Sequence, residues 1–418
     1  MNVRKRIRAL IDSTLIKTTT YLIANSLVSS FLGFIFWTLC ARFYSPKSLG
    51  LAVALISGMT LLSSFSNLGF GVLMVRVLPT FKDKEKIINS SFTISGFTLL
   101  VLSTIFLLFL DSISPELGFL RESLLYSSLF ILFTLFWLFT VLLESLFLSL
   151  RKARYILLKN TLFSILKIAF PFFLIFLGAM GIFVSWGLAS LLAFLLSFHF
   201  YFKRLMPEYR LRLDFDFKSL KPMLSFAFGN YLAGLLSRLP VMVLPLMIIN
   251  LLNPESTAYF YVSFMIASIL FILPQATASS LLAEGSHNEK MISENLRNSL
   301  KFIVITLTPA IALTLVFVDF LLGLFGNRYV ESGHGILILL VLSSIPLSIN
   351  TLRIVLYNLE KKVGNVIKLN ALISFSTLVL SYLLLGRMGL KGVGIAYLTT
   401  QTIVSLAIFF GFVKRILK

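Results

Sequence analysis

Long apolar runs, separated by short polar segments, dominate the chain. Twelve runs reach about 20 residues, the length that an α-helix needs to cross the hydrocarbon core of a bilayer. Strands of a membrane β-barrel would be shorter and would alternate apolar with polar positions. The pattern therefore predicts twelve membrane-spanning helices near residues 15–41, 48–74, 90–110, 123–149, 157–177, 181–202, 222–250, 257–282, 299–323, 335–358, 366–386 and 391–413.

The two halves of the chain resemble each other. Tyr44-Ser45-Pro46-Lys47-Ser48 precedes the second run, and Leu252-Asn253-Pro254-Glu255-Ser256 precedes the eighth, at an offset of 208. Near the end of each half, Gly178-Ala179-Met180-Gly181 matches Gly389-Leu390-Lys391-Gly392 at an offset of 211. Six spans per half let both halves enter from the same side, so the repeat predicts a pseudo-two-fold axis along the membrane normal.

These patterns predict the fold class and the domains. We expect an all-α polytopic membrane protein with about twelve transmembrane helices in two six-helix lobes. The longest charged linker lies at the middle of the chain. The expected domains are an N-lobe over 1–205, a cytoplasmic linker over 206–221 and a C-lobe over 222–418.

Composition agrees with a membrane protein and changes the meaning of the charge. Hydrophobic residues make up 58% of the chain and charged residues 13%, against about a quarter charged in soluble domains. A net charge of +20 would suggest nucleic acid as the partner of a soluble protein. Here the cations cluster in alternate loops, so we expect no nucleic acid. The single cysteine, Cys40, excludes an internal disulfide.

The placement of Lys and Arg predicts the orientation. The two termini and the even-numbered loops hold 27 of these cations, and the odd-numbered loops hold 6. Because cytoplasmic loops carry the excess of positive charge, both termini are expected in the cytoplasm. The basic segment Arg4-Lys5-Arg6-Ile7-Arg8 precedes a long span without a small-residue cleavage site, which indicates a retained first helix.

Apart from the cations counted with the termini and loops, four lie within the apolar runs: Lys17, Lys167, Arg238 and Arg353. A cation at the centre of a bilayer costs about 2.5–3.5 kcal/mol unless it faces water or a partner. Lys167 and Arg238 are deep, and no acid lies on the same turns to pair with them. They are therefore predicted to line a wet, anion-binding cavity. Arg353 is shallower, and snorkelling to the interface is an equal alternative for it.

Polar residues at helical spacing extend this prediction. Such faces avoid hydrocarbon and point at a cavity or at neighbouring helices, where adhesion between helices is the alternative. Besides Lys167, Arg238 and Arg353, the candidate substrate-binding residues are Tyr21, Asn25, Asn67, Tyr231 and Gln275.

Opposite charges occur at matching positions of the two halves. Arg76 corresponds to Glu284 at an offset of 208, and Glu144 corresponds to Arg353 at an offset of 209. All four lie toward the cytoplasmic ends of their spans. We expect these two pairs to help close a cytoplasmic gate, and interfacial charge without a partner is the alternative.

Signals of an enzyme, a metal site or a cofactor are sparse. Asp214-Phe215-Asp216 has the spacing of a metal-nucleotide motif, but it lies in the basic linker and is interpreted as solvated charge. The three histidines are scattered and have no metal-ligand spacing. We therefore expect no enzyme activity, no metal and no cofactor.

Several motifs together point to a known family. They are Gly33-Phe34-Ile35-Phe36-Trp37, Ala41-Arg42-Phe43-Tyr44-Ser45-Pro46, Asn67-Leu68-Gly69-Phe70-Gly71, Ala258-Tyr259-Phe260-Tyr261 and Ser280-Leu281-Leu282-Ala283-Glu284-Gly285-Ser286. With them the whole chain resembles polysaccharide-type flippases of the multidrug/oligosaccharidyl-lipid/polysaccharide exporter superfamily, in a prokaryotic branch.

The resemblance implies a function and a location. Such proteins move polyprenyl-linked oligosaccharides, including O-antigen precursors, from the cytoplasmic to the outer leaflet for cell-surface polysaccharide biosynthesis. It implies alternating access around a cationic central cavity in a prokaryotic plasma membrane. The expected partners are the lipid-linked substrate and membrane lipids, and the resemblance leaves open a coupling ion and glycan-assembly enzymes.

Two alternatives remain open. A multidrug or toxin exporter of the same fold would handle cationic drugs and would favour buried carboxylates, whereas the deep charges here are positive. A membrane enzyme of glycan assembly would need a sizeable loop domain, and no predicted loop is long enough to form one.

Overall fold

The structure, a computed structural model, describes residues 14–287 and 291–416 and is helical over nearly all of them. In a bilayer every backbone polar group must be satisfied within the segment, and the uniformly apolar runs meet this need as helices. Eleven of the described helices are long and apolar enough to cross a membrane. The long helices and one short one are α1 (Thr14–Phe43), α2 (Pro46–Ser66), α3 (Phe70–Val77), α4 (Lys84–Leu108), α5 (Leu124–Ser149), α6 (Ala153–Phe173), α7 (Ala179–Leu196), α8 (Phe217–Leu251), α9 (Pro254–His287), α10 (Ile292–Val316), α11 (Asn327–Leu359), α12 (Val363–Met388) and α13 (Leu390–Ile416).

The helices agree closely with the predicted spans. The last of them, α13, covers the twelfth predicted run but is not among the eleven candidates found in the described residues. Short helical turns connect some of the long helices, and a π-helix, Ser197–Phe202, prolongs α7. The all-α, multi-pass membrane fold predicted from the sequence is confirmed.

The chain forms two compact units. The first holds the described residues up to Tyr44 together with Gly58–Tyr231, and the second holds Ser45–Ser57 and the chain from Leu232 onward. The start of α2 therefore packs with the second unit. A Cβ added to Gly50 would lie 1.7 Å from the carbonyl oxygen of Pro254, so only glycine permits this contact with the start of α9. The lobe boundaries predicted from the count of spans stay a prediction.

Matching backbone turns establish the internal repeat. Arg151 and Lys361 are non-glycine residues with positive φ, at 58° and 57°, and they are 210 residues apart. In each turn the next N–H donates to a carbonyl five residues back, from Lys152 to Phe147 and from Lys362 to Tyr357. In both halves, a right-handed helix thus ends with a residue in the left-handed conformation, at corresponding positions.

A second pair of turns repeats one helix later. Gly178 has φ 55° and ψ −129°, and Gly389 has φ 56° and ψ −144°. Three residues on, a Cβ at Gly181 would lie 2.1 Å from the carbonyl oxygen of Leu174, and a Cβ at Gly392 would lie 2.6 Å from that of Leu384. Backbone conformation therefore favours glycine at 178 and 389, and close packing requires glycine at 181 and 392. The repeat proposed from sequence motifs has a structural basis in each unit.

One predicted span is broken. The apolar run over 48–74 forms α2 and α3, because Leu68 and Gly69 adopt positive φ values of 50° and 88°. The side chain of Asn67 accepts a hydrogen bond from the N–H of Gly71 at 3.1 Å and so satisfies one backbone donor at the break. The corresponding helix of the second half, α9, is continuous. The expectation of one uninterrupted helix is wrong at this point.

The central linker is fastened to the first unit. Asn89 on α4 donates to the carbonyl of Arg210 at 3.0 Å and accepts from the hydroxyl of Tyr209 at 2.5 Å. Burial raises the pKa of Tyr209, with a further contribution from the charge of Glu85, which keeps this phenol a donor. Asp216, interpreted from sequence as solvated charge, is partly buried and forms an ion pair with Lys86.

Candidate functional site

Lys167 lies in an aromatic cage inside the first unit. Its Nζ is 4.5 Å from the ring centroid of Trp186, 4.8 Å from that of Phe163 and 5.2 Å from that of Phe36. The residue is only 5% exposed. Cation–π contacts contribute about 2 kcal/mol when the cation is desolvated, so the rings offset part of the burial cost of this ammonium.

The three rings come from three helices, and a further aromatic side chain packs against two of them. Phe163 is one turn before Lys167 on α6, while Phe36 lies on α1 and Trp186 on α7. Trp137 packs against both Phe163 and Trp186, with centroids 5.8 Å apart in each case. Among the described residues, no carboxylate forms an ion pair with Lys167. The contacts that surround its ammonium group are with these three rings.

A second buried cation lies two turns earlier on α6. The Lys159 side chain is 0% exposed, and its Nζ lies 2.9 Å from Glu144 Oε1 on α5. It also donates to Asn160 Oδ1 at 2.7 Å, and Asn160 Nδ2 donates to Asn25 Oδ1 at 3.0 Å. This polar chain joins α1, α5 and α6. It brings together two predicted residues, Asn25 and Glu144, with Tyr21 half-buried one turn before Asn25.

Sequence reasoning missed Lys159. The residue stands near the start of its predicted span, where a cation is counted with those of the preceding loop. A usable signal existed, because Lys159, Phe163 and Lys167 are spaced i, i+4 and i+8 and therefore share one face of a helix. Glu144, predicted to pair across the repeat with Arg353, forms its ion pair with Lys159. The turns of the two halves also set the local offset at 210, which pairs Glu144 with Ile354.

Tyr231 supports the broken helix. Its hydroxyl lies 2.9 Å from the carbonyl oxygen of Ser64 and 3.3 Å from that of Phe65, two acceptors in the last turn of α2. A Cβ added to Gly69 would lie 3.3 Å from the Cβ of Tyr231. Asn67, 9% exposed, caps the same break. Both predicted residues therefore hold the backbone where the helix is interrupted, a kind of site that membrane proteins tolerate only where the backbone is otherwise satisfied.

The second unit holds Arg238, Arg353 and Gln275. Arg353 Nη2 donates to the hydroxyl of Tyr357 at 3.2 Å, and its Cζ lies 4.3 Å from that ring. Its Nε is buried and has no hydrogen-bond partner among the described residues. Arg238 on α8 and Gln275 on α9 have exposed side chains. No described residue forms an ion pair with Arg238.

The two remaining gate residues are exposed at helix ends. Arg76 lies in the last turn of α3. Glu284 lies near the end of α9 and lines a groove of about 480 Å³ with three polar residues of α10, Asn295, Asn298 and Ser299. The pairing of the gate charges stays a prediction.

Comparison with known proteins identifies the fold and the family. Lipid II flippase MurJ, in an inward closed conformation, superposes with a TM-score of 0.77 at 17% identity, covering 96% of this chain and 89% of MurJ. An inward-facing multidrug resistance MATE family transporter of the MOP superfamily has a TM-score of 0.67 at 16% identity, covering 96% of this chain and 98% of its own. A MOP superfamily transporter from Pyrococcus furiosus, described by the reverse polarity of its binding pocket, has a TM-score of 0.63 at 15% identity and covers 96% and 95%.

Identities this low establish the shared fold, and these neighbours are named as transporters or as a flippase. Among curated protein sequences, none matches this chain. The family model described as "Polysaccharide biosynthesis protein" matches residues 15–282, more than half of the sequence. The chain belongs to that polysaccharide biosynthesis protein family.

Proposed function

We propose that this protein is a flippase, not an enzyme. It moves a polyprenyl-(pyro)phosphate-linked oligosaccharide from the cytoplasmic to the outer leaflet by alternating access, for cell-surface glycan assembly such as O-antigen. Membership of the polysaccharide biosynthesis family and the MurJ-like fold support this class of cargo. The location that follows is a prokaryotic plasma membrane with both termini in the cytoplasm. The basic segment at Arg4–Arg8 lies outside the described residues, so this orientation rests on the distribution of charge.

The observation that carries the proposal is that the buried cations are not needed by the fold. At the offset of 210 fixed by the turns, Lys159 corresponds to Leu369 and Lys167 to Thr377. Leu369 and Thr377 are buried, as their counterparts are. The same helix therefore packs in the second unit without a charge at either position. A cost that the fold does not require points to a functional use of the lysines.

The polar residues next to these lysines, in contrast, are the same in both halves of the chain. Asn160 corresponds to Asn370, which donates to the carbonyl of Ala233 at 3.0 Å, and Ser164 corresponds to Ser374, which donates to the carbonyl of Leu236. The asparagine and the serine thus serve helix adhesion in the repeat. The lysines are what the first unit adds.

An ammonium without a carboxylate partner suits an anionic headgroup. In a medium of low dielectric constant, an unpaired positive charge attracts phosphate strongly, and pyrophosphate cannot cross hydrocarbon unaided. Arg238 and Arg353 supply further cations from the second unit, and a guanidinium binds phosphate in a bidentate way. We assign Lys167 as a phosphate-binding residue of the first unit, and Arg238 and Arg353 as phosphate-binding residues of the second unit.

The exporter alternative has less support. A cationic drug would be held by a buried carboxylate, whereas the carboxylate of Glu144 on α5 is already paired with Lys159. The likeness to MATE transporters is one of fold.

The test is translocation by the purified full chain in proteoliposomes. The probe is a fluorescent polyprenyl-pyrophosphate disaccharide, with access to the outer leaflet read by dithionite quenching. We expect Lys167→Met to slow translocation by about tenfold or more, because a charged hydrogen bond contributes about 1.5–3 kcal/mol. Lys301→Met is the matched control, since Lys301 is an exposed lysine in the first half of α10, and it should translocate normally. Equal rates in the two variants would overturn the assignment of Lys167.

A further inference from the structure

A groove on the first unit combines two arginines with an apolar floor. It has a volume of about 490 Å³ and is lined by α6 and by the end of α7 with its π-helical continuation. We call it the arginine groove. Its lining residues are Arg154, Tyr155, Leu158, Leu162, Leu196, Phe200, Tyr201 and Arg204.

The groove is polar at one end and apolar along the rest. Along α6, Arg154 precedes Leu158 by four residues and Leu162 by eight, a distance of about 12 Å. The other wall has the reverse order, from Leu196 to Phe200 to Arg204. Since the first wall begins at its arginine and the second ends at its arginine, both guanidinium groups lie at the loop end of the groove.

The polar end is built for an anion. No acidic residue lines the groove, and neither Arg154 nor Arg204 has an ion-pair or hydrogen-bond partner within the described residues. Arginine is the side chain best suited to hold a phosphate in a bidentate way. Tyr155 and Tyr201 stack beside them, with centroids 4.7 Å apart and an interplanar angle of 11°. Stacked tyrosines at helix ends are typical of the headgroup level of a membrane.

The apolar end is open to the flank of the protein. Phe200 is 60% exposed and Leu196 is 40% exposed. In a membrane-spanning protein, exposed apolar surface one to two turns below the interface meets acyl chains. The π-helix contributes to this shape, because Phe200 and Tyr201 both belong to it, and single π-helical turns often mark functional sites.

We propose that the arginine groove is a binding site for an anionic phospholipid of the cytoplasmic leaflet. Its phosphate lies between Arg154 and Arg204, and one acyl chain lies along Leu158, Leu162, Leu196 and Phe200. Basic pockets between helices on the cytoplasmic side bind anionic headgroups in this manner. The site is separate from the path of the transported cargo, because arginines at a helix end hold a phosphate at the interface, whereas a cargo phosphate must cross the bilayer. The side of the membrane follows from the loop charges, and the nature of the ligand does not depend on the transport proposal.

The experiment is native mass spectrometry of the full chain released from nanodiscs of equal parts phosphatidylglycerol and phosphatidylcholine. The wild-type protein should retain phosphatidylglycerol over phosphatidylcholine. Arg154→Ala with Arg204→Ala should lower this preference by about thirtyfold, the loss expected when two cations leave an anionic interface. Arg210→Ala with Arg212→Ala is the matched control, since these two exposed arginines lie in the linker, outside the groove, and it should keep the preference.

Three results would overturn the proposal. The first is equal retention of phosphatidylglycerol by the groove variant and the linker variant. The second is displacement of phosphatidylglycerol by a polyprenyl phosphate at equal concentration, which would place cargo in the groove. The third comes from the wild-type chain, so it does not depend on the folding of a variant. A photoactivatable phosphatidylglycerol should crosslink to peptides that contain Leu158–Leu162 or Leu196–Phe200. Crosslinks confined to other helices would contradict the site.

Discussion

At the scale of single residues, the ion pair between Lys159 and Glu144 allows a structural role of a buried charge to be distinguished from a functional one. The Lys159 side chain is fully buried, and the Glu144 side chain keeps 35% of its surface exposed. Removing one partner of a buried pair leaves an uncompensated charge and costs about 3–5 kcal/mol, whereas replacing both by apolar residues is often neutral. The second half already shows the apolar solution, with Leu369 and Ile354 at the corresponding positions.

This gives a prediction with two readouts. Glu144→Leu alone should destabilise the purified protein by about 3 kcal/mol, near the lower end because the carboxylate is partly solvated. Glu144→Leu with Lys159→Leu should recover most of that loss in the apparent Tm. If Lys159 also serves the cargo, the stable double variant should still translocate poorly. A double variant as unstable as the single one would contradict the pairing, and normal translocation by it would restrict Lys159 to a structural role.

At the scale of elements, the turn that joins two helices of each half carries a conformational cost. Arg151 and Lys361 adopt left-handed backbone conformations that cost an L-residue about 1–2 kcal/mol and that favour glycine at a helix C-terminus. Both side chains are exposed, so their loss removes little packing. We therefore expect Arg151→Gly to raise the apparent Tm, by relieving about 1 kcal/mol.

The neighbouring residue provides the control for this turn. Lys152 is also exposed but has φ −111°, which any residue adopts, so Lys152→Gly should give no gain. Lys361→Gly should repeat the effect of Arg151→Gly in the second half. If Arg151→Gly is no more stable than Lys152→Gly, the left-handed turn is not a source of strain.

Elements also show what a sequence can and cannot predict. The spans follow from hydropathy, because the bilayer demands long apolar helices. The break after Ser66 does not, since Asn67, Leu68 and Gly69 interrupt no apolar run and their conformation depends on the Tyr231 hydroxyl that supports it. The cage of Lys167 needs three helices to meet, and the partner of Lys159 is on another helix. Helical periodicity places a residue on a face, but it does not say which face of which helix lies opposite.

At the scale of the whole molecule, charge asymmetry predicts how the chain lies in the membrane. The termini and even-numbered loops hold 27 cations against 6 in the other loops. A net charge of +20 concentrated on one side favours the cytoplasmic face, where anionic lipids lie. The arginine groove lies on this same side, so its ligand and the orientation of the protein depend on one property of the loops.

The single cysteine makes this orientation directly measurable. Cys40 is 1% exposed, so the wild-type chain should not react with a membrane-impermeant maleimide and serves as the control. Glu116→Cys, in the exposed segment between α4 and α5, should be labelled on intact cells of the expression host, and Glu208→Cys, in the linker, only after permeabilisation. Both changes remove an acid and leave every Lys and Arg in place, so the distribution of cations that orients the chain is unaltered. Labelling of Glu208→Cys on intact cells would show that the linker faces outward and that the predicted orientation is wrong. A flippase in that orientation could not collect its cargo from the cytoplasmic leaflet.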